Sequence, residues 1–199
     1  MKRQSILFVR SMCVVILFIT LAACKDTDNR VFGDDFDFPA LTDENTIRFT
    51  VNVVGDWRQL DIVASGGRMV IDWGNGRIQK IEDPSSMTGG VVYRYGNKGS
   101  YEVKIWAEEL QLIDISGLLL PLSNLYLGNM PRMKSLALNS ISDTRKLDLN
   151  TFCPNVESIN IGSLADLERL EIGNCSRLRS IQIYSNPKLT SIEFGSHPE

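Results

Sequence analysis

The stretch LERLEIGNCSRLRSIQIYSNPKLTSIEF, residues 167–194, decides the fold because one apolar spacing returns in it every eleven residues. Each unit has an apolar residue, a second one three positions later and a third two positions after that. Eight such units follow one another, and their middle residues are Ile113, Leu125, Leu136, Leu147, Ile159, Leu170, Ile181 and Ile192. The third residues are Ile115, Leu127, Leu138, Leu149, Ile161, Ile172, Ile183 and Phe194. The first residues are Leu110, Leu122, Met133, Val156, Leu167, Leu178 and Leu189, with Thr144 as the exception.

This spacing, L-x-x-L-x-L, is the core of a leucine-rich repeat, in which one coil has about 20–29 residues. Two consecutive units of this chain make one coil of 22 or 23 residues, so we expect two strands per coil on opposite sides. The sequence therefore predicts a short β-solenoid over residues 108–199. Because repeat arrays form extended binding surfaces, the pattern favours a binding function over catalysis.

Alternate units are expected to place their outward side chains on opposite faces of the solenoid. The more charged face is the candidate binding face, formed by Tyr126, Lys146, Asp148, Arg169, Glu171 and Glu193. The other face is small and nearly neutral, with Asp114, Ala137, Asn160 and Gln182 flanked by Ser135, Ser158, Ser180 and Tyr184. Stacked strands lie about 4.8 Å apart, so the carboxylates repel one another unless Lys146 and Arg169 intervene. Mixed charges suit a protein partner, and a face that is merely solvated is the alternative.

Residues 41–107 alternate apolar and polar side chains, as in Ile47, Phe49, Val51 and Val53, which is typical of half-buried strands. Further strands are expected near 58–64, 68–73, 77–82, 90–95 and 100–106. Glycine-rich turns such as Gly74-Asn75-Gly76 separate them. Short strands joined by glycine turns predict a small antiparallel β-sandwich, so the whole chain is expected to be mainly β.

Three motifs of this region resemble the PKD family, an immunoglobulin-like β-sandwich of extracellular proteins. They are Ile71-Asp72-Trp73-Gly74-Asn75-Gly76, then Tyr93-Arg94-Tyr95, then Gly99-Ser100-Tyr101-Glu102-Val103. Asn75 stands where that family usually has aspartate, which weakens any cation role of the loop. Asparagine still suits the turn, so the resemblance continues to imply the sandwich fold. Trp73 and Tyr101 are expected to pack in the core, with a sugar-binding platform as the alternative.

The N-terminus reads as a processing signal. Lys2, Arg3 and Arg10 precede an apolar run over 12–23 that is too short for a stable membrane span. Leu21-Ala22-Ala23-Cys24 resembles the lipobox of bacterial lipoproteins, which implies cleavage after residue 23 and a lipid on Cys24. A plain signal peptide or an anchor helix is the alternative. With residues 1–23 removed, 18 basic and 24 acidic residues remain, and the net charge moves from −3 to −6.

Residues 24–40 are acidic and lack periodicity, so we interpret them as a tether. Lys25-Asp26-Thr27-Asp28 is similar to the export signal of Bacteroidetes-type surface lipoproteins, and an ordinary solvated linker is the alternative. Asp34, Asp35 and Asp37 lack the spacing of a calcium loop, so solvation is favoured. The complete arrangement resembles leucine-rich-repeat surface lipoproteins. It implies a lipid anchor in the bacterial outer membrane and surface exposure, with the periplasmic leaflet left open.

Two cysteines remain beyond the anchor. Cys153 and Cys175 precede Ile159 and Ile181 by the same six residues, so they are expected at equivalent corners of adjacent coils. Stacked thiols are favoured, and a disulfide is the alternative. The first coil is expected to be covered by the sandwich, whose last strand leads directly into it. The last coil is expected to be loosely ordered or completed by a partner.

Catalysis is not expected, and neither a metal nor another cofactor. His197 is the only histidine, which removes histidine-dependent triads and most zinc sites. The acidic charge argues against nucleic acid as a partner. The sequence therefore predicts a lipid-anchored binding or adhesion protein that takes a protein or a glycan. An accessory lipoprotein of an outer-membrane assembly is the alternative, and a carbohydrate-active enzyme is a remote one.

Overall fold

A computed structural model describes residues 42, 46–56, 58–87, 89–116, 120–152 and 154–195. Within them the chain is mainly β, with almost no helix, and contains a β-solenoid of about three turns. The predictions for the signal segment 1–23, Cys24, the tether 24–40, Cys153 and His197 lie outside the described residues. Cys175 is buried, and this burial raises the pKa of its thiol.

Six strands form the N-terminal region. They are β1 (Thr46–Val53), β2 (Gln59–Ser65), β3 (Met69–Asp72), β4 (Ile78–Ile81), β5 (Val91–Arg94) and β6 (Gly99–Ala107), and a 3-10 turn, Pro84–Ser86, precedes β5. The five strands predicted after β1 are all present, and each of their ends differs from the prediction by one residue. Period-two alternation and glycine turns were therefore sufficient to place them.

Eight further strands follow in the described part of the chain. They are β7 (Leu112–Ser116), β8 (Leu122–Leu127), β9 (Ser135–Asn139), β10 (Lys146–Asp148), β11 (Ser158–Gly162), β12 (Arg169–Gly173), β13 (Ser180–Tyr184) and β14 (Ser191–Phe194). A short helix, Leu149–Phe152, follows β10. The strands belong to three sheets, with the orders β4-β3-β6-β1-β8, β13-β11-β9-β7-β2-β5 and β10-β12-β14.

The first coil is covered by N-terminal strands, as the sequence predicts. The last N-terminal strand, β6, does not make this cover. Strand β2 pairs antiparallel with β7, and β1 pairs antiparallel with β8, whereas β6 lies between β1 and β3. The two N-terminal strands thus extend both sheets of the first coil, and the edges of β7 and β8 on that side are paired.

The repeat residues stack in register. Leu136 pairs with Ile159 and Ile159 with Ile181 on one side, while Leu147 pairs with Leu170 on the other. Leu136, Leu147, Ile159 and Leu170 are all buried, which confirms the predicted core positions. Each such side chain contributes about 1.5–3 kcal/mol when it is fully removed from water.

An aromatic cluster fills the N-terminal region. Trp73 stacks on Tyr93 with ring centroids 4.4 Å apart, and Tyr95 stacks on Tyr101 at 4.5 Å. Trp73 and Tyr95 are buried, whereas Tyr93 and Tyr101 are half-buried. The core interpretation of Trp73 is confirmed, and its buried ring offers no platform for a sugar.

One side-chain hydrogen bond near the C-terminal end of the solenoid joins the two outer strands of three neighbouring strands. The Tyr184 hydroxyl in β13 donates to Asn139 Oδ1 in β9 at 2.6 Å, passing over Gly162 of the intervening β11. A Cβ atom at Gly162 would lie 2.3 Å from the tyrosine ring. The contact, which we name the tyrosine clasp, therefore requires glycine at that position.

Candidate functional site

Five of the six residues predicted for the charged face come together on the β10-β12-β14 sheet. Lys146 is in register with Arg169, and Asp148 aligns with Glu171, which aligns with Glu193. The two cations intervene between the carboxylates. Lys146 Nζ lies 2.9 Å from Glu171 Oε2, and Arg169 Nη2 lies 2.8 Å from Glu193 Oε1. Arg169 Nε is also 3.8 Å from Glu171 Oε1.

These pairs largely neutralise the charged face from within. The hydrogen bond with Glu171 holds the pKa of the Lys146 ammonium above its usual value, with the attraction of Asp148 adding to the effect. Exposed pairs of this kind contribute little to stability, because water screens them and both side chains lose freedom. Their consequence is for binding: a charged partner would have to displace pairs that are already made.

Tyr126 does not lie in this sheet. It lies in β8, which pairs with β1 in another sheet, and its ring sits 4.2 Å from the Arg48 guanidinium carbon. The pairing of β1 with β8 shifts register between Arg48 and Thr50, and Asn124 has a positive φ of 53°. Eleven-residue spacing cannot show such an irregularity, and the place of Tyr126 in the binding face stays a prediction.

The neutral face forms as predicted. Asp114, Ala137, Asn160 and Gln182 lie in one register column across β7, β9, β11 and β13. The one carboxylate among them accepts a hydrogen bond from the Ser116 hydroxyl at 2.6 Å. Asn160 Oδ1, in the middle of this column, is buried and has no hydrogen-bond partner among the described residues.

The C-terminal coil is open. Strands β13 and β14 are the last strands of their sheets, so one edge of each has no strand beside it among the described residues. At this end Tyr184 is 46% exposed, Ile192 is 40% exposed and Phe194 is 55% exposed. Earlier members of the same columns are buried, for example Leu170. We name this end the open coil, and its apolar surface is typical of a protein contact.

A basic pocket, which the sequence reasoning missed, lies at the corner that leads into β7, β9, β11 and β13. The cavity measures about 270 Å³, and its described lining residues are Gln111, Pro131, Arg132, Lys134, Asn155 and Arg177. Three of these six are cationic and none is a carboxylate. Arg132 Nη1 pairs with Glu109 Oε2 at 2.9 Å, while Lys134 and Arg177 have no ion pair within the described part of the chain.

The sequence did contain a signal for this pocket. Arg132-Met133-Lys134 and Arg177-Leu178-Arg179 place cations on both sides of the first apolar residue of a unit. Two coils separate these segments, and stacking brings equivalent corners to the same side of the solenoid. The apolar pattern describes the strands and not the corners, so it does not predict that these cations lie together.

No family model matches this sequence, and no curated protein and no solved structure shows significant similarity to it. Among the described residues, no three histidine, cysteine, aspartate or glutamate side chains are grouped so that they could hold a metal ion. The same residues include no helix with the length and apolar character needed to cross a membrane.

Proposed function

We propose that this chain is a lipid-anchored cell-envelope binding protein, attached through Cys24, whose solenoid takes a protein partner at the open coil. The exposed apolar side chains of that coil carry the proposal. Tyr184, Ile192 and Phe194 lie beside two strand edges, and an added strand would gain both backbone hydrogen bonds and apolar burial there.

A protein partner is favoured over a glycan by the position of the aromatic rings. Tyr184 and Phe194 expose aromatic surface at the open coil, but they lie beside two strand edges, which a protein strand can extend and a glycan cannot. The charged face is the weaker candidate because its ion pairs are satisfied internally. The open coil offers strand edges that have no neighbouring strand, and a partner that covers Ile192 and Phe194 removes no charge from water.

The open coil can be tested with a photo-reactive phenylalanine analogue at position 194 of the full-length chain in living cells. We expect a discrete cross-linked product, and we expect Ile192→Lys to remove it because a buried lysine would be costly. The analogue at Val92 is the matched control, since that side chain is also exposed, to 51%, and lies in another edge strand. Equal products from both positions, or none from either, would contradict the proposal. A product of twice the chain mass would identify a second copy as the partner.

The anchor can be tested by Cys24→Ser. We expect the full-length protein to move from the detergent phase to the aqueous phase in a phase-partition assay, because acyl chains contribute about 0.8 kcal/mol per buried methylene. Cys13→Ser is the matched control, since Cys13 lies within the apolar run and should not affect partitioning. Retention of the Cys24→Ser protein in the detergent phase would favour an anchor helix over a lipid.

The proposal includes a finer description of the fold. It divides the chain into a PKD-like sandwich over 41–107 and a solenoid over 108–199 with two eleven-residue units per coil. Support comes from the register, in which Leu136 pairs with Ile159 and Leu147 with Leu170, both 23 residues apart. Further support comes from the turn after Trp73, where the Gly74 amide donates to Asp72 Oδ1 and Asn75 Nδ2 donates to the Tyr93 hydroxyl.

A further inference from the structure

The basic pocket has two cations, Lys134 and Arg177, without an ion pair among the described residues, and a third, Arg132, that pairs with Glu109. Arg132 and Arg177 occupy equivalent corner positions two coils apart, which places their backbones about 10 Å from each other. Asn155 occupies the equivalent position in the intervening coil and donates from Nδ2 to the Pro131 carbonyl at 2.8 Å, while Lys134 lies two residues after Arg132. Concave surfaces lined by one sign of charge attract the opposite charge more strongly than flat ones.

The N-terminal part of the chain enters the fold close to this pocket. The Gly128 amide donates to the carbonyl of Thr46, the first residue of β1, at 2.8 Å. Asn129 then lines a smaller cavity of about 80 Å³, which shares Pro131 and Arg132 with the basic pocket. Three residue steps separate Gly128 from Pro131, so the route from Thr46 to the pocket is on the order of 15 Å.

We propose that the basic pocket binds the acidic segment 34–37 of its own chain. Asp34, Asp35 and Asp37 provide three carboxylates within four residues. Asp34 and Asp37 are about 10 Å apart in an extended chain, which matches the separation of Arg132 from Arg177. Guanidinium groups bind carboxylates with charge-assisted hydrogen bonds, so the two sets are complementary in charge and in spacing.

Reach and concentration favour the chain's own segment over an external acidic peptide. The Thr46 hydroxyl donates to the Thr42 carbonyl, so these two residues lie close together, and the five residue steps from Asp37 to Thr42 can span up to about 17 Å, which is comparable with the route to the pocket. A tethered segment of this length has an effective concentration in the millimolar range. The inference does not rest on the exposed side chains of the open coil, because Tyr184, Ile192 and Phe194 do not line the pocket.

Zero-length carbodiimide cross-linking of the full-length chain in detergent tests the proposal. We expect an amide between Lys134 and one of the aspartates 34, 35 or 37, identified by peptide mapping. The Debye length is about 3 Å at 1 M salt, so the attraction between the segment and the pocket is screened. The yield of the Lys134 cross-link should therefore fall by roughly fivefold at 1 M salt. Arg132→Lys and Arg177→Lys place amines at the other two corners and should add their own cross-links to segment 34–37.

Internal and matched controls make a negative result decisive. Lys188 Nζ lies 2.6 Å from Asp166 Oδ1 and Lys146 Nζ lies 2.9 Å from Glu171 Oε2, so both pairs should cross-link in every sample. Replacing Asp34, Asp35 and Asp37 with asparagine should abolish the Lys134 product, whereas Asp26→Asn with Asp28→Asn should preserve it. Control cross-links without a product from any of the three corners would overturn the proposal. A product found only between isotopically mixed copies would overturn it too, since the occupant would then be a second chain.

Discussion

Replacing Leu170 with alanine should lower the free energy of unfolding by about 2–5 kcal/mol, the usual cost of truncating a buried leucine. Leu170 is 0% exposed and lies between Leu147 and Ile192 in the register of the three-stranded sheet. Removing its side chain leaves a cavity between two stacked coils, and the backbone ladders on both sides limit how far the cavity can collapse. Chemical denaturation monitored by circular dichroism would measure the loss.

Ile192→Ala is the matched control, because Ile192 occupies the next position of the same column but is 40% exposed. We expect it to cost about half as much as Leu170→Ala or less, since part of its surface is already in water. Similar losses from both substitutions would show that the last coil is as well covered as the middle one. That result would also weaken the proposal that the open coil takes a partner.

Replacing Gly66 with alanine should be comparably damaging, at about 2–5 kcal/mol. Gly66 follows β2 with a φ of 99°, and a Cβ atom there would lie 2.4 Å from the Glu109 carbonyl oxygen. The obstacle is backbone, so it cannot rotate away as a side chain could. We expect the melting temperature to fall by about 5 to 15 °C, which calorimetry would measure.

Gly76→Ala separates the cost of a positive φ from the cost of crowding around the added Cβ atom. Gly76 also has a positive φ, 85°, but a Cβ atom added to it would meet nothing within 4 Å. Gly76→Ala should therefore lower the free energy of unfolding only by the cost of the positive φ, about 1 kcal/mol. A loss at Gly66 no larger than at Gly76 would mean that the crowding between β2 and the approach to β7 is readily relieved.

The apolar pattern predicted the solenoid well because it depends on local rules. Leu136, Leu138 and Ile159 had to face inward once strands formed, since side chains alternate along a strand. The pairing of β1 with β8 and of β2 with β7 could not be predicted in the same way, because it joins segments distant in sequence. Turn chemistry fixes where a strand ends but not which strand it lies beside.

The candidate site was predicted only in part, for a related reason. The sequence placed Lys146, Arg169 and Glu171 on one face correctly, because they lie in strands that follow the repeat. It did not predict that Tyr126 lies in another sheet, where Asn124 has a positive φ and the pairing with β1 shifts register. It also missed Arg132 and Arg177, since corner side chains meet only when the coils are stacked in three dimensions.

The tyrosine clasp limits how this solenoid can change its length during evolution. Repeat arrays gain and lose whole coils, and most of their contacts are indifferent to the number because each coil touches only its neighbours. The bond from Tyr184 to Asn139 is different, since it reaches across one intervening strand, a backbone separation of about 10 Å. Loss of the β11 coil would put the two residues side by side, and one additional coil would separate them by about 14 Å. The clasp therefore requires a single strand between β9 and β13. A duplication or deletion of a coil there would break it even if every apolar column stayed intact.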